Sequence, residues 1–165
     1  MPDVIAHELD VLFVGINPGF ASARAGHHFA NPANGFWRLL HESGFTPRRF
    51  VPSEQRELLT LGIGITNVVS RVTAGVKDVT REDFAEGRLA LAQKIAHWKP
   101  KSVVFVGVTA YRAFRGTRGP IACGEQAEGL GRARVFVLPN PSGRNAHYSY
   151  ADMLELYRGV ARALE

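Results

Sequence analysis

The sequence predicts an α/β fold in which a mostly parallel sheet lies between helices on both of its faces. Three short apolar runs, rich in β-branched and aromatic residues, have the pattern of buried strands. They cover residues 11–14, 102–106 and 135–138. Strands that are apolar on both faces are typical of a parallel sheet, and segments with helical spacing separate them along the chain. With 165 residues, of which 45% are hydrophobic, the chain fits a single domain spanning residues 1–165.

Five segments have the apolar spacing and the end signals of helices. They cover residues 34–43, 54–61, 81–98, 109–114 and 150–164. Thr80 and Ser53 are the expected N-caps of two of these helices, because a hydroxyl oxygen accepts hydrogen bonds from a first turn. Residues 63–66 fit either a strand or a loop. The expected core positions of the longest helix are Phe84, Leu89, Leu91 and Ile95.

Charge and composition narrow the class of protein. The net charge of +5 and the pI near 9.8 favour an anionic partner, and 16 of the 20 basic residues are arginines, whose planar guanidinium groups suit phosphate. Genome composition or solvated helix faces explain the same excess equally well.

The chain has no apolar run of membrane-spanning length and no secretory leader, so we expect a cytoplasmic protein. Cys123 is the only cysteine, which excludes an intramolecular disulfide and removes the usual ligands of iron–sulfur and structural zinc sites.

Two loops follow predicted strands and carry polar side chains. Gly15-Ile16-Asn17-Pro18-Gly19 follows the first strand, and Pro139-Asn140-Pro141-Ser142-Gly143-Arg144-Asn145 follows the last. Pro18 restricts its own backbone and that of Asn17, so the loop presents the Asn17 amide from a stiffened backbone. Because the carboxyl ends of parallel strands meet at one sheet edge, both loops are expected to face one site. A plain strand-to-helix turn is the alternative for the second loop.

Five collinear blocks of the sequence resemble the mismatch-specific uracil/thymine DNA glycosylases, within the uracil-DNA glycosylase superfamily. The blocks are Gly15-Ile16-Asn17-Pro18-Gly19, Gly26-His27-His28-Phe29, Pro32-Ala33-Asn34-Gly35-Phe36-Trp37, Gly64-Ile65-Thr66-Asn67-Val68-Val69-Ser70-Arg71-Val72-Thr73 and Asn140-Pro141-Ser142-Gly143. The resemblance implies a three-layer α/β/α sandwich that binds duplex DNA, flips a mispaired pyrimidine out of the stack and hydrolyses its N-glycosidic bond. It implies no metal and no cofactor. Residues 116–131 lack the family pattern and are expected to form a variable surface loop.

The resemblance assigns the catalytic role to Asn17, which orients the hydrolytic water, and Thr73 matches a residue that helps to hold the same water. A carboxamide can accept from water but has no protonation change available at neutral pH. We therefore expect water positioning and not base catalysis. Such an enzyme should depend on the quality of the leaving group, so that uracil is released faster than thymine.

The resemblance also implies a pocket for the flipped base. Phe29 matches the aromatic residue on which the pyrimidine stacks, while the N–H of Ile16 and the side chain of Asn67 match contacts to its oxygens. Ser22 and His28 lie at positions that tune thymine against uracil. A core phenylalanine and a turn-capping asparagine are the alternatives for Phe29 and Asn67. His27 and His28 have no nearby third ligand in the sequence, so no metal site is predicted.

The second loop carries the implied DNA contacts. Arg144 matches the wedge that fills the gap left by the flipped base, Gly143 and Asn145 offer backbone groups to the guanine, and Ser142 faces a flanking phosphate. Asn140 opens the same block. In the bacterial uracil branch a leucine follows this block, whereas the thymine-active branch has arginine, so this chain combines features of two branches and its substrate range is open.

The sequence thus predicts a monofunctional, monomeric glycosylase that removes uracil from G mismatches, with thymine and other modified pyrimidines as further candidates. One alternative is a nucleotide hydrolase on the same architecture, although the strand-end loops hold neither a glycine-rich phosphate loop nor an acidic metal cluster. The other is a non-catalytic mismatch or damage sensor. The presence of Asn17 favours the enzyme.

Overall fold

A five-stranded sheet forms the centre of the computed structural model, which describes residues 1–143 and 145–165. The strands are β1 (Val11–Gly15), β2 (Ile63–Asn67), β3 (Ser102–Val106), β4 (Gly124–Glu125) and β5 (Arg134–Leu138), in the spatial order β2-β1-β3-β5-β4. All neighbours pair in parallel except β4, which runs antiparallel to β5 at the edge. The predicted mostly parallel sheet is confirmed, and residues 63–66 belong to a strand.

Helices cover both faces of the sheet. They are α1 (Phe20–Ala25), α2 (Phe36–Glu42), α3 (Arg81–Trp98), α4 (Val108–Arg115) and α5 (Tyr150–Ala163). Thr80 caps α3 as predicted, since its hydroxyl accepts from the N–H of Asp83. Helix α1 was not predicted, because six residues are too few to show a helical period. None of the helices in the described part of the chain has both the length and the apolarity needed to cross a membrane.

The predicted helix over residues 54–61 is a 3₁₀ segment, Pro52–Leu61, and Ser53 is not its cap. Proline at the first position restricts the backbone of the opening turn, and the segment begins two residues earlier than expected. Its first turn is closed by the N–H of Val51, which donates to Glu54 Oε1 at 3.0 Å. The carbonyl oxygen of Val51 in turn accepts from the N–H of Glu54 at 2.9 Å, so Val51 and Glu54 close the first turn without the Ser53 hydroxyl.

Two apolar clusters form the core, one on each face of the sheet. Alternate residues of a strand point to opposite faces, so Phe13 packs towards α2 and α5, whereas Leu12 packs towards α3 and α4. Leu91 and Ile95 of α3 are buried as predicted. Leu89 is 70% exposed, so its assignment to the core was wrong, because the face of α3 that meets the sheet is narrow.

The N-terminal segment covers the free edge of β2. Val4 pairs with Ile65, and the carboxylate of Asp3 accepts from the hydroxyl of Thr66 at 2.7 Å. A Cβ at Gly64 would lie 2.6 Å from the carbonyl oxygen of Val4, so the segment comes this close only because residue 64 has no side chain. Residues 2–4 therefore complete the outer side of β2.

Residues 116–131, expected to form a variable surface loop, contain the short edge strand β4. Arg134 of β5 holds this strand through an ion pair with Glu125, at 2.8 Å. The remainder of the segment lies outside regular strands and helices.

Candidate active site

A cleft of about 1080 Å³ opens at the carboxyl edge of the sheet. The two loops predicted to face one site both line it, after β1 and after β5. Loops after β2 and β3 line it as well, because all four strands are parallel and end at the same edge. In the strand order, β2 lies on one side of β1 and β3 lies on the other, so the cleft sits where the direction of chain winding changes.

The amide of Asn17 has a defined orientation in this cleft. Its Nδ2 donates to the carbonyl oxygen of Arg71 at 2.9 Å and to the hydroxyl of Thr73 at 2.8 Å. A carbonyl oxygen can only accept, so the nitrogen must face this segment and Oδ1 must face the other way. Within residues 1–143 and 145–165, no group donates to Asn17 Oδ1. The half-buried side chain thus presents a fixed acceptor in the cleft.

Thr73 is buried beneath Asn17. Its hydroxyl accepts from the Asn17 amide and donates to the carbonyl oxygen of Gly75 at 2.8 Å. With its one proton directed at Gly75, the hydroxyl can meet another molecule only through a remaining lone pair. The geometry therefore gives Thr73 a direct part in orienting Asn17, which the sequence comparison did not suggest.

Phe29 forms a wall of the cleft. Its ring stacks on the buried Phe36 with centroids 4.1 Å apart, and the side chain is only half-buried. Its backbone φ of 52° lies in the left-handed region, which is rare for an aromatic residue. The alternative of a core phenylalanine does not fit, because Phe29 packs on the core and still lines the cleft.

Gly15 leaves room for two of the proposed pocket residues. A Cβ at this position would lie 2.7 Å from Asn67 Oδ1 and 3.5 Å from Phe29 Cζ. Asn67 ends β2 directly beside Gly15 in the sheet register. Its side-chain amide makes no hydrogen bond to any described residue, so it does not cap a turn. Both of its polar ends are available to a ligand.

His28 is buried against the N-terminal segment. Its Nε2 lies 2.9 Å from the carbonyl oxygen of Pro2, so Nε2 carries the proton and the neutral ring keeps Nδ1 as an acceptor. Burial lowers the pKa of His28, outweighing the opposite effects of the Pro2 carbonyl and Asp3, while the amino group of Met1 and Lys94 act with burial. Ser22 is also buried, and its hydroxyl accepts from the N–H of Ala30 at 3.2 Å.

The depressed pKa of His28 predicts a loss of stability in acid. The unfolded chain takes up a proton near the ordinary value of 6.5, whereas the folded chain does so at lower pH. Between these two values the unfolded state binds more protons, so the free energy of unfolding should fall as the pH drops below 6.5, by up to about 1.4 kcal/mol per pH unit. Denaturant unfolding between pH 5 and 7.5 measures this slope. The variant His28→Gln should lose it, and an unchanged slope in that variant would contradict the assignment.

The loop after β5 is held by its own side chains. Asn140 Oδ1 accepts from the N–H of Ser142, and the amide of Asn145 donates to the carbonyl oxygen of Asn140. The N–H of Asn145 donates to the carbonyl oxygen of Ser142 at 3.1 Å, so it is not free for the guanine contact predicted from the sequence. Gly143 is exposed, and a Cβ there would lie 3.0 Å from Cβ of Ala33. Arg144, the predicted wedge, lies outside the described residues.

Several lining residues were not singled out in the sequence. Asn31 and Asn34 reach the cleft from the segment before α2, and Gly107 and Thr109 reach it from the start of α4. The side-chain oxygen of Asn34 also accepts from the N–H of Phe36, the first residue of α2, at 2.9 Å. The sequence held one signal that could have placed Gly107 at the cleft, namely its position directly after β3. A glycine at a strand end admits the close approach of a neighbouring loop. Here Gly107, with φ of 113°, lies against Asn140.

Metal-binding side chains are not grouped in the cleft. Across residues 1–143 and 145–165, no three His, Cys, Asp or Glu side chains are close enough together to hold a metal ion. The polar groups of the cleft are mainly amides, hydroxyls and backbone groups. Such groups orient a ligand by hydrogen bonds and stay neutral across physiological pH.

The family model of the uracil DNA glycosylase superfamily matches residues 2–161 of the chain. The chain belongs to this superfamily. It is also similar to the solution NMR structure of a putative uracil DNA glycosylase from Methanosarcina acetivorans, with 25% sequence identity and a TM-score of 0.63. That match covers 99% of this chain and 96% of the other. The predicted fold class is therefore confirmed, and the superfamily supports DNA glycosylase activity, DNA as the partner and a role in DNA repair.

Proposed function

We propose that the protein is a monofunctional DNA glycosylase that flips uracil out of G mismatches in double-stranded DNA and leaves an abasic site. The observation that carries the proposal is the arrangement of Asn17 and Phe29 in one cleft. The first offers a fixed acceptor for water, and the second offers an aromatic wall for a planar base. Thymine and modified pyrimidines in the same mismatch are the further proposed substrates. We place the enzyme in the cytoplasm as a monomer.

The proposed reaction uses water as the nucleophile. As the bond between the base and C1′ breaks, its electron pair leaves with the base and positive charge develops on the sugar. A water molecule held by Asn17 Oδ1 then forms the new bond at C1′ and loses one proton to solvent, from which the departing base anion takes up one proton. Because Nδ2 is committed to Arg71 and Thr73, the acceptor cannot rotate away, and alignment of the water is the main contribution of this residue. No described carboxylate lines the cleft, so the rate should follow the stability of the departing base.

The proposed base pocket lies between Phe29 and Asn67. Stacking on the Phe29 ring holds a flipped pyrimidine without selecting its edge. The Asn67 amide supplies both a donor and an acceptor for that edge, and the N–H of Ile16 is the proposed contact to a pyrimidine oxygen. Ser22 and His28 are the proposed positions that tune thymine against uracil. Both are buried at the side of the same cleft.

The loop after β5 is the proposed DNA-reading element. We retain Arg144 as the wedge on the basis of its place after Gly143, and Ser142 as a phosphate contact. Asn140 and Asn145 act in this proposal by holding the loop, since both side chains bond within it. Because its backbone N–H is bonded to Ser142, the backbone group that Asn145 can offer the guanine in this proposal is its carbonyl oxygen.

A substrate panel tests the proposal. Purified protein with excess chelator should release base from a duplex with a single G·U pair, and more slowly from G·T, as measured by alkaline cleavage at abasic sites. The same uracil in an A·U pair or a single strand should react more slowly than G·U, because a mismatched base costs less to flip and the wedge acts only in a duplex. Tight binding of G·U without base release would instead indicate a mismatch sensor. Equal rates on all uracil substrates would contradict the mismatch specificity.

A further inference from the structure

We infer that Arg71 is a positioning residue, which orients the amide of Asn17 through an ion pair with Asp83. This inference rests on the proposed function for its catalytic consequence, whereas the hydrogen-bond geometry stands without it. Arg71 lies in a matched sequence block, but no role was assigned to it there.

The guanidinium of Arg71 ties three chain segments together. Nε and Nη2 both reach Asp83 Oδ2, at 3.0 and 2.7 Å, and Nη2 also donates to the carbonyl oxygen of Asp78 at 2.6 Å. Asp83 lies in the first turn of α3, where it also accepts from the N–H of Thr80 at 2.9 Å. The side chain of Arg71 is thus fixed to the start of the longest helix.

The backbone of Arg71 meets the catalytic loop from the other side. Its carbonyl oxygen accepts one Asn17 Nδ2 proton, and Thr73, two residues later, accepts the other. Both protons of the amide therefore depend on one short segment that follows β2. The N–H of Thr73 adds a bond to the carbonyl oxygen of Pro18 at 3.2 Å. Movement of this segment would turn or release the Asn17 amide.

The ion pair is suited to hold this segment and poorly suited to bind DNA phosphate. The Arg71 guanidinium beside it lowers the pKa of Asp83 to about 2, so the carboxylate stays charged throughout the range in which the enzyme would work. The negative charge of Asp83 offsets the positive charge of Arg71. Nε and Nη2 of the guanidinium already donate within the protein. They are therefore not free to bind a phosphate through two parallel hydrogen bonds.

The chain offers a matched control for this arrangement. Arg134 also binds a carboxylate, that of Glu125 at 2.8 Å, and donates to a backbone carbonyl, that of Ala163 at 2.9 Å. Its exposure, 45%, is close to the 49% of Arg71. It lies at the other end of the sheet, and the described residues that its side chain contacts do not line the cleft. Arg134→Ala therefore removes a comparable surface ion pair without touching Asn17.

The first test reads the amide directly and needs no substrate. The side-chain NH₂ protons of Asn17, assigned by their loss in Asn17→Ala, should exchange slowly with solvent in the ¹H–¹⁵N spectrum of the intact protein. Arg71→Ala should speed this exchange, Arg71→Lys should do so less because lysine keeps the charge, and Arg134→Ala should leave it unchanged. Unchanged exchange in Arg71→Ala would overturn the inference, whatever the protein does to DNA.

The second test measures coupling to catalysis in single-turnover base release from G·U duplex. Arg71→Ala should lower the rate about tenfold, a loss of alignment, with no change in the Kd for mismatched DNA. In the Asn17→Ala background the same substitution should have no further effect, because Arg71 acts through Asn17. Equal losses in both backgrounds, or a weakened Kd with an unchanged rate, would overturn the inference. No base release by wild-type protein would refute the proposed function instead, and the exchange test would still decide the geometry.

Discussion

Replacing Asn17 with alanine is expected to lower base release from a G·U duplex by about 1,000-fold, the range found when a preorganised polar group is removed from a reacting centre. The methyl group cannot accept from water, and no other described side chain is placed to take over. Binding of the mismatched duplex should be retained, because stacking on Phe29 and the contacts of the β5 loop do not involve this amide.

Single-turnover release and equilibrium binding, measured on the same duplex, separate these two effects. The control is the melting temperature, which should remain near that of the wild type because Asn17 is only half-buried. Wild-type rates in Asn17→Ala would remove the residue from its proposed role. Parallel losses of rate and binding would show that Asn17 contributes to recognition and not to the chemical step.

Replacing Gly15 with alanine is expected to lower base release by about 100-fold, as misplacement by an ångström at a reacting centre does. The added methyl would lie 2.7 Å from Asn67 Oδ1, which is closer than van der Waals contact allows. The amide of Asn67 must therefore rotate out of place, and the base loses its proposed reader. Since a side-chain tip can move, the fold should tolerate the change.

The measurements are base release from G·U duplex and thermal unfolding. Gly159→Ala provides the control for an added methyl, because Gly159 is exposed on α5 and a Cβ there meets nothing within 4 Å. That variant should keep full activity. A Gly15→Ala protein that is equally active would mean that Asn67 does not read the base, and one that fails to fold would place the clash in the core.

Part of the site could be predicted from the sequence because its signals are local. The motif around Asn17 combines a buried strand, two glycines and a proline within a few residues, and Pro18 acts on its direct neighbour. The cap of α3 is of the same kind, since Thr80 and Asp83 are three residues apart. At residues 52–61 a helix was predicted, but its 3₁₀ type was not. A 3₁₀ turn and the first turn of an α-helix begin with the same residue types.

The orientation of the catalytic amide could not be predicted in this way. The partners of Asn17 lie 54 and 56 residues away along the chain, and the ion pair between Arg71 and Asp83 is formed by two residues that look like ordinary surface charges. The same holds for His28, whose tautomer is set by the carbonyl of Pro2, 26 residues earlier. No spacing rule links such residues.

The sequence by itself determined three strands of the parallel sheet, most of the helices and the identity of the residue that presents an amide at the end of β1. These features depend on the spacing of apolar residues and on bonds between near neighbours in the chain. Both can be read from the order of residues alone. Only the tertiary structure decided which way that amide faces, that Phe29 lines the cleft while it packs on the core, and which charge holds the supporting segment. Those features require distant segments to meet, and they meet because the parallel strands all end at one edge of the sheet.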